Sequence, residues 1–290
     1  MTTELVVGPR AEDVRTDLAE APGWSAYVTK LREVLAAVIG TTGAEPLEVG
    51  GLLVGEPLPE SLVGLRNGLE VGPAQAVELV VGMVAGHGPY CQLTSPGRLR
   101  VESGWDGFVH LFVTAAAADA VQALGADDDL VLDRRVAEPE DEDVPNPVTT
   151  AADDAFWSEV GAAAGTAKLT LLCERWAHGA YGCRWFRVTP ENVAAAAEAV
   201  RPRSLLSVVV DPDLRLDPLF LDDDFTAFKA PLAAGELTYR AGPRGADDLR
   251  ELTDDDFAFL LRDSAPVAWR AVVPDSDGVV RGRWEEEDPT

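Results

Sequence analysis

Two short segments of the chain hold residue types that suit metal binding or nucleophilic chemistry. The first reads His-Gly-Pro-Tyr-Cys and the second His-Gly-Ala-Tyr-Gly-Cys, with one more cysteine five residues before the second histidine. Imidazole and thiolate are ligands that Zn²⁺ prefers, usually as a tetrahedral set of four. If the two segments faced each other, they would supply such a set. The candidate metal ligands are His87, Cys91, Cys173, His178 and Cys183.

The same pattern has a purely structural interpretation. The chain lacks a Cys-x-x-Cys or His-x-x-x-His pair, and the spacing from histidine to cysteine differs by one residue between the segments. Gly88 and Gly179 favour tight turns, because glycine adopts positive φ without steric cost. A cysteine that follows such a turn is typical of a small core residue on the returning strand. This interpretation predicts no cofactor.

Catalytic signatures are weak. Pairing Cys183 with His178, or Cys91 with His87, gives a nucleophile and a base, but nothing in the sequence orients that base. The chain has no Gly-x-Ser-x-Gly elbow, no Gly-x-Gly-x-x-Gly after a strand and no phosphate-binding Gly-x-x-x-x-Gly-Lys-Ser/Thr loop. The sequence therefore favours a non-enzymatic role and leaves catalysis open.

The surroundings of the two segments are also similar. Glu70-Val71-Gly72 leads to the first segment and Glu159-Val160-Gly161 to the second, and the two histidines are 91 residues apart. An alanine-rich run follows Thr114 and another follows Thr189, as expected of capped helices, and each is followed by an apolar run typical of a strand. We predict an α+β fold built as a tandem, pseudo-symmetric repeat of two units. Each unit would have the order helix, strand, strand, helix, strand, with mostly antiparallel sheets.

These patterns predict four regions. Residues 1–45 form an N-terminal helical segment, with Gly40 as its C-cap, that packs on the first unit. Residues 46–145 form the first unit, with an inserted hairpin at 94–110, and residues 146–235 the second unit. Residues 236–290 form an extension with a helix that starts after Thr253, a β-hairpin and an acidic tail.

Charge narrows the class of partner. The chain has 24 basic and 50 acidic side chains, a formal net charge of −26. Nucleic acid, with one phosphate about every 1.7 Å of duplex axis, would be repelled, and anionic membranes likewise. A protein with a more basic surface would be attracted. The chain has no run of eighteen apolar residues and no secretory signal, and three cysteines suit reduced thiols, so we expect a cytoplasmic protein.

Tryptophans cluster near the two segments. Trp105, Trp176 and Trp185 would be binding anchors if they were exposed. Their alternative role is that of core aromatic residues.

The leading hypothesis is a non-enzymatic, cytoplasmic protein-binding module, of the chaperone, adaptor or immunity kind, that engages a more basic protein. One alternative is a metal-dependent enzyme or metal-binding protein that uses both histidine-cysteine segments. Another is a small-molecule cleft between the two repeats, since ligand sites favour such junctions.

Overall fold

The computed structural model describes residues 2–9, 23–86, 88–104, 107–124, 130–137, 147–215, 225–241, 251–252 and 254–285. The chain divides into two compact units, residues 1–141 (unit 1) and residues 142–290 (unit 2). Within the described residues there are five α-helices and 15 β-strands, and every pairing between these strands is antiparallel. The predicted α+β class with antiparallel sheets is confirmed.

Unit 1 is a seven-stranded sheet with three helices. Its elements are β1 (Thr2–Gly8), α1 (Trp24–Thr42), β2 (Leu47–Leu53), β3 (Glu70–Val71), α2 (Pro73–Val84), β4 (Tyr90–Ser95), β5 (Leu99–Ser103), β6 (Val109–Thr114), α3 (Ala115–Leu124) and β7 (Val131–Val136). The strand order is β3-β2-β4-β5-β6-β1-β7. Strands β5 and β6 are adjacent and antiparallel, from Leu99 opposite Val113 to Ser103 opposite Val109.

Helix α1 forms because apolar residues recur every three or four positions. Tyr27, Leu31 and Val38 all lie on its buried face. The helix ends at Gly43, whose φ of 60° is left-handed and whose N–H bonds the carbonyl oxygen of Gly40. Gly40 itself is inside the helix, so the predicted C-cap is wrong by three residues. Thr41 and Thr42 continue the helix beyond Gly40, and the Thr42 hydroxyl donates to the Val38 carbonyl oxygen at 2.7 Å.

The helices of unit 1 cover one face of its sheet. Leu35 of α1 and Val80 of α2 line the same small gap as Leu93 of β4 and Val101 of β5. Along β4 and β6, buried residues alternate with partly exposed ones. That alternation is expected of a sheet with helices on one face, because successive side chains point to opposite faces.

Unit 2 has two helices and two sheets. Its elements are α4 (Asp154–Thr166), β8 (Thr170–Arg175), β9 (Cys183–Val188), α5 (Val193–Ala199), β10 (Leu205–Val210), β11 (Phe225–Lys229), β12 (Gly235–Leu237), β13 (Tyr239–Ala241), β14 (Phe257–Arg262) and β15 (Trp269–Val272). The larger sheet has the order β12-β9-β8-β10-β15, and the smaller sheet has the order β13-β11-β14.

The larger sheet of unit 2 is covered on both faces. Leu172 and Leu206 pack with Phe156 of α4 on one side. Leu171 packs with Phe228 of the smaller sheet on the other. Five consecutive residues of β8 are therefore buried. The unit has three layers: helices, the larger sheet and the smaller sheet.

The C-terminal extension differs from the prediction. Residues 257–262 form strand β14 and not a helix, because Leu260 packs with Phe225 on one side while Leu261 packs with Phe228 on the other. By periodicity alone a short apolar run fits a helix or a strand. Here its pairing with β11 makes it a strand. The predicted terminal hairpin is also wrong: residues 273–284, all described, contain a turn but no strand.

The tandem repeat is not confirmed. Unit 2 has the order helix, strand, strand, helix, strand from α4 to β10, but in unit 1 three strands lie between α2 and α3, and the pairings differ. Strand β4 pairs with β2 and β5, whereas β8 pairs with β9 and β10. Glu70 lies in a strand, while Glu159 lies within helix α4. Short sequence similarity thus occurs at positions with different backbone structure.

None of the helices in the described part of the chain combines the length and the apolar character needed to span a membrane.

Candidate functional site

The second histidine-cysteine segment is the turn between β8 and β9. Gly179 has a φ of 88°, as the turn interpretation expects. The carbonyl oxygen of Gly182 accepts hydrogen bonds from the N–H groups of Trp176 and Ala177, both at 2.9 Å. A Cβ at Gly182 would lie 2.3 Å from the carbonyl oxygen of Ala177. Glycine is therefore a steric requirement of this turn.

The first segment links helix α2 to strand β4, so it does not join two strands. His87 lies outside the described residues. Gly88 has a φ of 116°. Cys91 is buried in β4, where its N–H donates to the Met83 sulfur at 3.1 Å, and burial raises the pKa of its thiol to about 12. A metal needs the thiolate, so this environment suits a core residue and not a ligand.

The structure gives no support to a zinc site. Among the described residues, no group of three or more His, Cys, Asp or Glu side chains is placed to hold a metal ion. The exposed ring of His178 packs against Trp284, with ring centroids 5.1 Å apart.

Two of the three candidate tryptophan anchors are core residues. Trp176 and Trp185 are each only 8% exposed. Trp185 meets Phe228 edge to face, with centroids 5.3 Å apart, and Arg201 lies over the Trp176 ring. Because an interface anchor must reach solvent in the free protein, the predicted role of these two residues is not supported. Trp105 lies outside the described residues.

Cys173 and Cys183 lie together on the side of the larger sheet of unit 2 that faces the smaller sheet. Cys173 is opposite Trp185, and Cys183 is opposite Arg175, so the two cysteines are diagonal neighbours on adjacent strands. The two sulfur groups are hydrogen-bonded to each other. The hydroxyl oxygen of Tyr239, on β13, lies 3.4 Å from the Cys183 sulfur. The result is a thiol pair with a phenol beside it.

The two thiols differ in acidity. The hydrogen bond from Cys173 lowers the pKa of Cys183 to about 7, with help from Tyr239 and against the effect of burial. The same bond, together with burial, holds the pKa of Cys173 well above its usual range. The Tyr239 hydroxyl donates its one hydrogen to the Cys183 carbonyl oxygen, at 2.6 Å. Because its pKa is the lower of the two, Cys183 is the member of the pair that carries the charge.

A second candidate site is the face of the unit 1 sheet that points away from the helices. We call it the open face. It consists of Glu4, Tyr90, Gln92, Thr94, Arg100, Glu102, His110 and Phe112, which are partly exposed and in register on four strands. Val6, in the same row as Glu4, is buried.

Contacts across the strands order the open face. The Arg100 guanidinium stacks on the Phe112 ring at 3.7 Å from its centroid and pairs with Glu102 at 2.9 Å. Nδ1 of His110 lies 2.7 Å from a carboxylate oxygen of Glu4. The Arg100 side chain is 17% exposed and that of Glu102 is 36% exposed. These side chains are held in place and still reach solvent.

Sequence reasoning named Cys173 and Cys183 as candidate metal ligands but not as a thiol pair beside Tyr239, and it missed the open face. The open face had a signal, because Arg100 and Glu102 alternate with Leu99 and Val101, and that pattern marks one polar and one apolar face. The link between Cys183 and Tyr239 had none, since 56 residues separate them and the fold brings them together.

Comparison with protein-family models, with curated proteins and with solved structures finds no match to this chain.

Proposed function

We propose that this protein is a non-enzymatic binding module that engages a more basic partner protein through the open face of unit 1. The observation that carries the proposal is the coverage of the unit 1 sheet. Its helices pack on one face, and the opposite face presents Tyr90, Arg100 and Phe112 in adjacent strands.

The chemistry of this face suits protein recognition. Tyrosine, phenylalanine and arginine are enriched at protein interfaces, where they bury large areas at low entropic cost. Arg100 is already held by Phe112 and Glu102 in the free protein. Binding would therefore lose little side-chain entropy, because the contact surface is ordered in advance.

Charge supports a basic partner. Unit 1 contains 22 acidic and 9 basic side chains, and unit 2 contains 28 and 15. Each unit thus carries a net charge of −13. A field of one sign speeds the encounter with an oppositely charged protein and weakens as salt rises.

The border of the open face adds a second contact. Strand β7 is the last strand of the sheet order and pairs with β1 alone among the described strands. Glu4 of β1 is opposite Arg135 of β7, so β7 continues the sheet directly beside the open face. An exposed edge strand offers free backbone groups and apolar contacts to an added chain.

Affinity capture from the native host with matched baits tests the proposal. The test bait carries Arg100→Glu and Phe112→Asp, and the control bait carries Tyr181→Asp, at an exposed position of unit 2. We expect a basic protein that the unchanged and control baits retain, that the test bait loses at least about tenfold, and that about 0.5 M salt releases.

Circular dichroism and thermal unfolding of each bait check that the substitutions leave the fold intact. Retention of the same proteins by a folded test bait would contradict the proposal, as would capture that about 0.5 M salt leaves unchanged.

A further inference from the structure

We propose that Cys173 and Cys183 form a redox-active pair, in which hydrogen peroxide oxidises Cys183 and Cys173 then closes a disulfide. This site lies in unit 2 and is independent of the open face. Its oxidant is a small hydroperoxide that reaches the protein from solution.

The two cysteines differ in their exposure to solvent. Cys183 is the first residue of β9, directly after the turn, and is partly exposed, whereas Cys173 is buried in the middle of β8. Both side chains contact the same apolar cluster between the sheets. An oxidant from solvent therefore meets Cys183 first, with Cys173 directly behind it.

The hydrogen-bonded arrangement also supports the proposal. Cys173 is the diagonal neighbour of Cys183 across the two strands, and the Cys183 thiol donates to the Tyr239 hydroxyl oxygen at 3.4 Å. The hydrogen bond with Cys173 and, to a smaller extent, Tyr239 lower the pKa of Cys183 to about 7. Redox-sensing cysteines have this combination: an acidic, accessible thiol next to a second thiol that resolves it.

The chemical steps balance. The Cys183 thiolate attacks one peroxide oxygen, the O–O bond breaks, and hydroxide leaves, so that Cys183 becomes a sulfenic acid. The Cys173 sulfur attacks the Cys183 sulfur, the S–O bond breaks, and a second hydroxide leaves. The protons of the two original thiols convert both hydroxides to water. Two thiols and one peroxide yield one disulfide and two waters.

Closing the bond requires a small local movement. Diagonal neighbours across a sheet lie about 7–8 Å apart, slightly more than the separation of disulfide-bonded residues. Cys183 is the first residue of β9, so the movement falls at the end of the strand and not at its centre.

The test treats the full chain with hydrogen peroxide, alkylates it under denaturing conditions and measures the intact mass. The untreated protein should accept three alkyl groups, one for each cysteine. The treated protein should accept one, at Cys91, and lose two hydrogen atoms. Peptide mapping should find a peptide pair linked through Cys173 and Cys183. Cys91→Ser is the matched control and should form the same link.

Single variants separate the two roles. Cys173→Ser should accumulate a sulfenic acid at Cys183, which dimedone traps, because the resolving thiol is gone. Cys183→Ser should abolish the reaction and leave both remaining thiols open to alkylation. Tyr239→Phe should slow the reaction several-fold at pH 6 and little at pH 9, since it removes a group that stabilises the thiolate.

Three outcomes would overturn the proposal. One is a peroxide-treated protein that still accepts three alkyl groups. Another is oxidation that falls first on Cys91. The third is an unchanged protein in which Cys183 reacts with peroxide no faster than a free thiol at pH 7. Thermal unfolding of each variant confirms that the fold is retained.

Discussion

The two main sheets of the molecule differ in how many of their faces are covered. The unit 1 sheet has helices on one face, and its strands alternate buried with partly exposed residues. The unit 2 sheet lies between helices and a second sheet, and β8 is buried for five residues in succession. A polar side chain on one of these sheets therefore changes the free energy of unfolding by a different amount in each unit. Glu102 lies on an open face, while Glu174 is fully buried.

The largest expected effect compares these two carboxylates. The Glu174 carboxylate accepts hydrogen bonds from the backbone N–H of Arg201 at 2.6 Å and from the Ser204 hydroxyl at 3.0 Å. It also forms an ion pair with Arg184. Glu174→Ala should cost about 3–5 kcal/mol, because it removes the acceptor of the Ser204 hydroxyl and of the Arg201 backbone N–H and the nearer carboxylate of Arg184. Glu102→Ala should cost about 1 kcal/mol or less.

Hydrogen exchange of peptides from β8 and β5 measures both variants and assigns each loss of stability to its own unit. Equal losses for the two variants would show that the coverage of the sheets does not differ as described.

The next effect compares the cysteines of the two units. Alkylation of Cys183 in the folded protein should become faster as the pH rises and reach half of its maximum near pH 7, because its thiolate forms there. Cys91, with a pKa of about 12 and a buried side chain, should react at least about 100-fold more slowly at pH 7. Quantitative mass spectrometry of the two cysteine peptides follows both rates in one sample. Similar rates would contradict the difference in environment.

A smaller effect compares the glycines of the two histidine-cysteine segments. Gly182→Ala should cost about 2–3 kcal/mol, since its Cβ meets backbone and not a movable side chain. Gly88→Ala should cost about 1 kcal/mol, because its φ is positive but nothing lies within 4 Å of the added Cβ. Thermal unfolding of both variants shows which of them is less stable. A Gly88 variant that is the less stable of the two would reverse it.

Much of the fold could be predicted from sequence where local signals agree with packing. The apolar run predicted to form a strand after the second alanine-rich run is strand β10, Leu205–Val210, because such a run suits a strand buried on both faces. Strand β14 could not be predicted, because its apolar run is short enough to form a helix or a strand. Pairing with β11 makes it a strand. The candidate site was harder still. Tyr239 reaches Cys183 through the packing of two sheets, a contact that no spacing in the sequence shows.

The smallest expected effect compares two surface ion pairs. In unit 2, Asp275 bonds Arg203 at 3.0 Å and Arg281 at 2.8 Å, and its side chain is 17% exposed. In unit 1, Asp119 pairs with Arg134 but is 68% exposed. Asp275→Asn should cost about 1 kcal/mol, and Asp119→Asn should cost close to nothing.

Acid denaturation separates the two. The hydrogen bond from Arg203 holds the pKa of Asp275 below its ordinary value of 3.8. The stabilisation is therefore present above pH 3.8 and is lost as the pH falls through the lowered pKa. Below the lowered pKa of Asp275, the Asp275→Asn variant and the unchanged protein should have the same free energy of unfolding. A difference that persists there would assign the effect to packing.

The most direct test of the binding role is site-specific photo-crosslinking in the native host. A photoreactive phenylalanine replaces Phe112 on the open face in one protein and Tyr181 in unit 2 in a matched control. We predict a covalent adduct with one basic protein from position 112 and none with that protein from position 181. The same adduct from both positions, or no adduct from position 112, would contradict a partner on the open face.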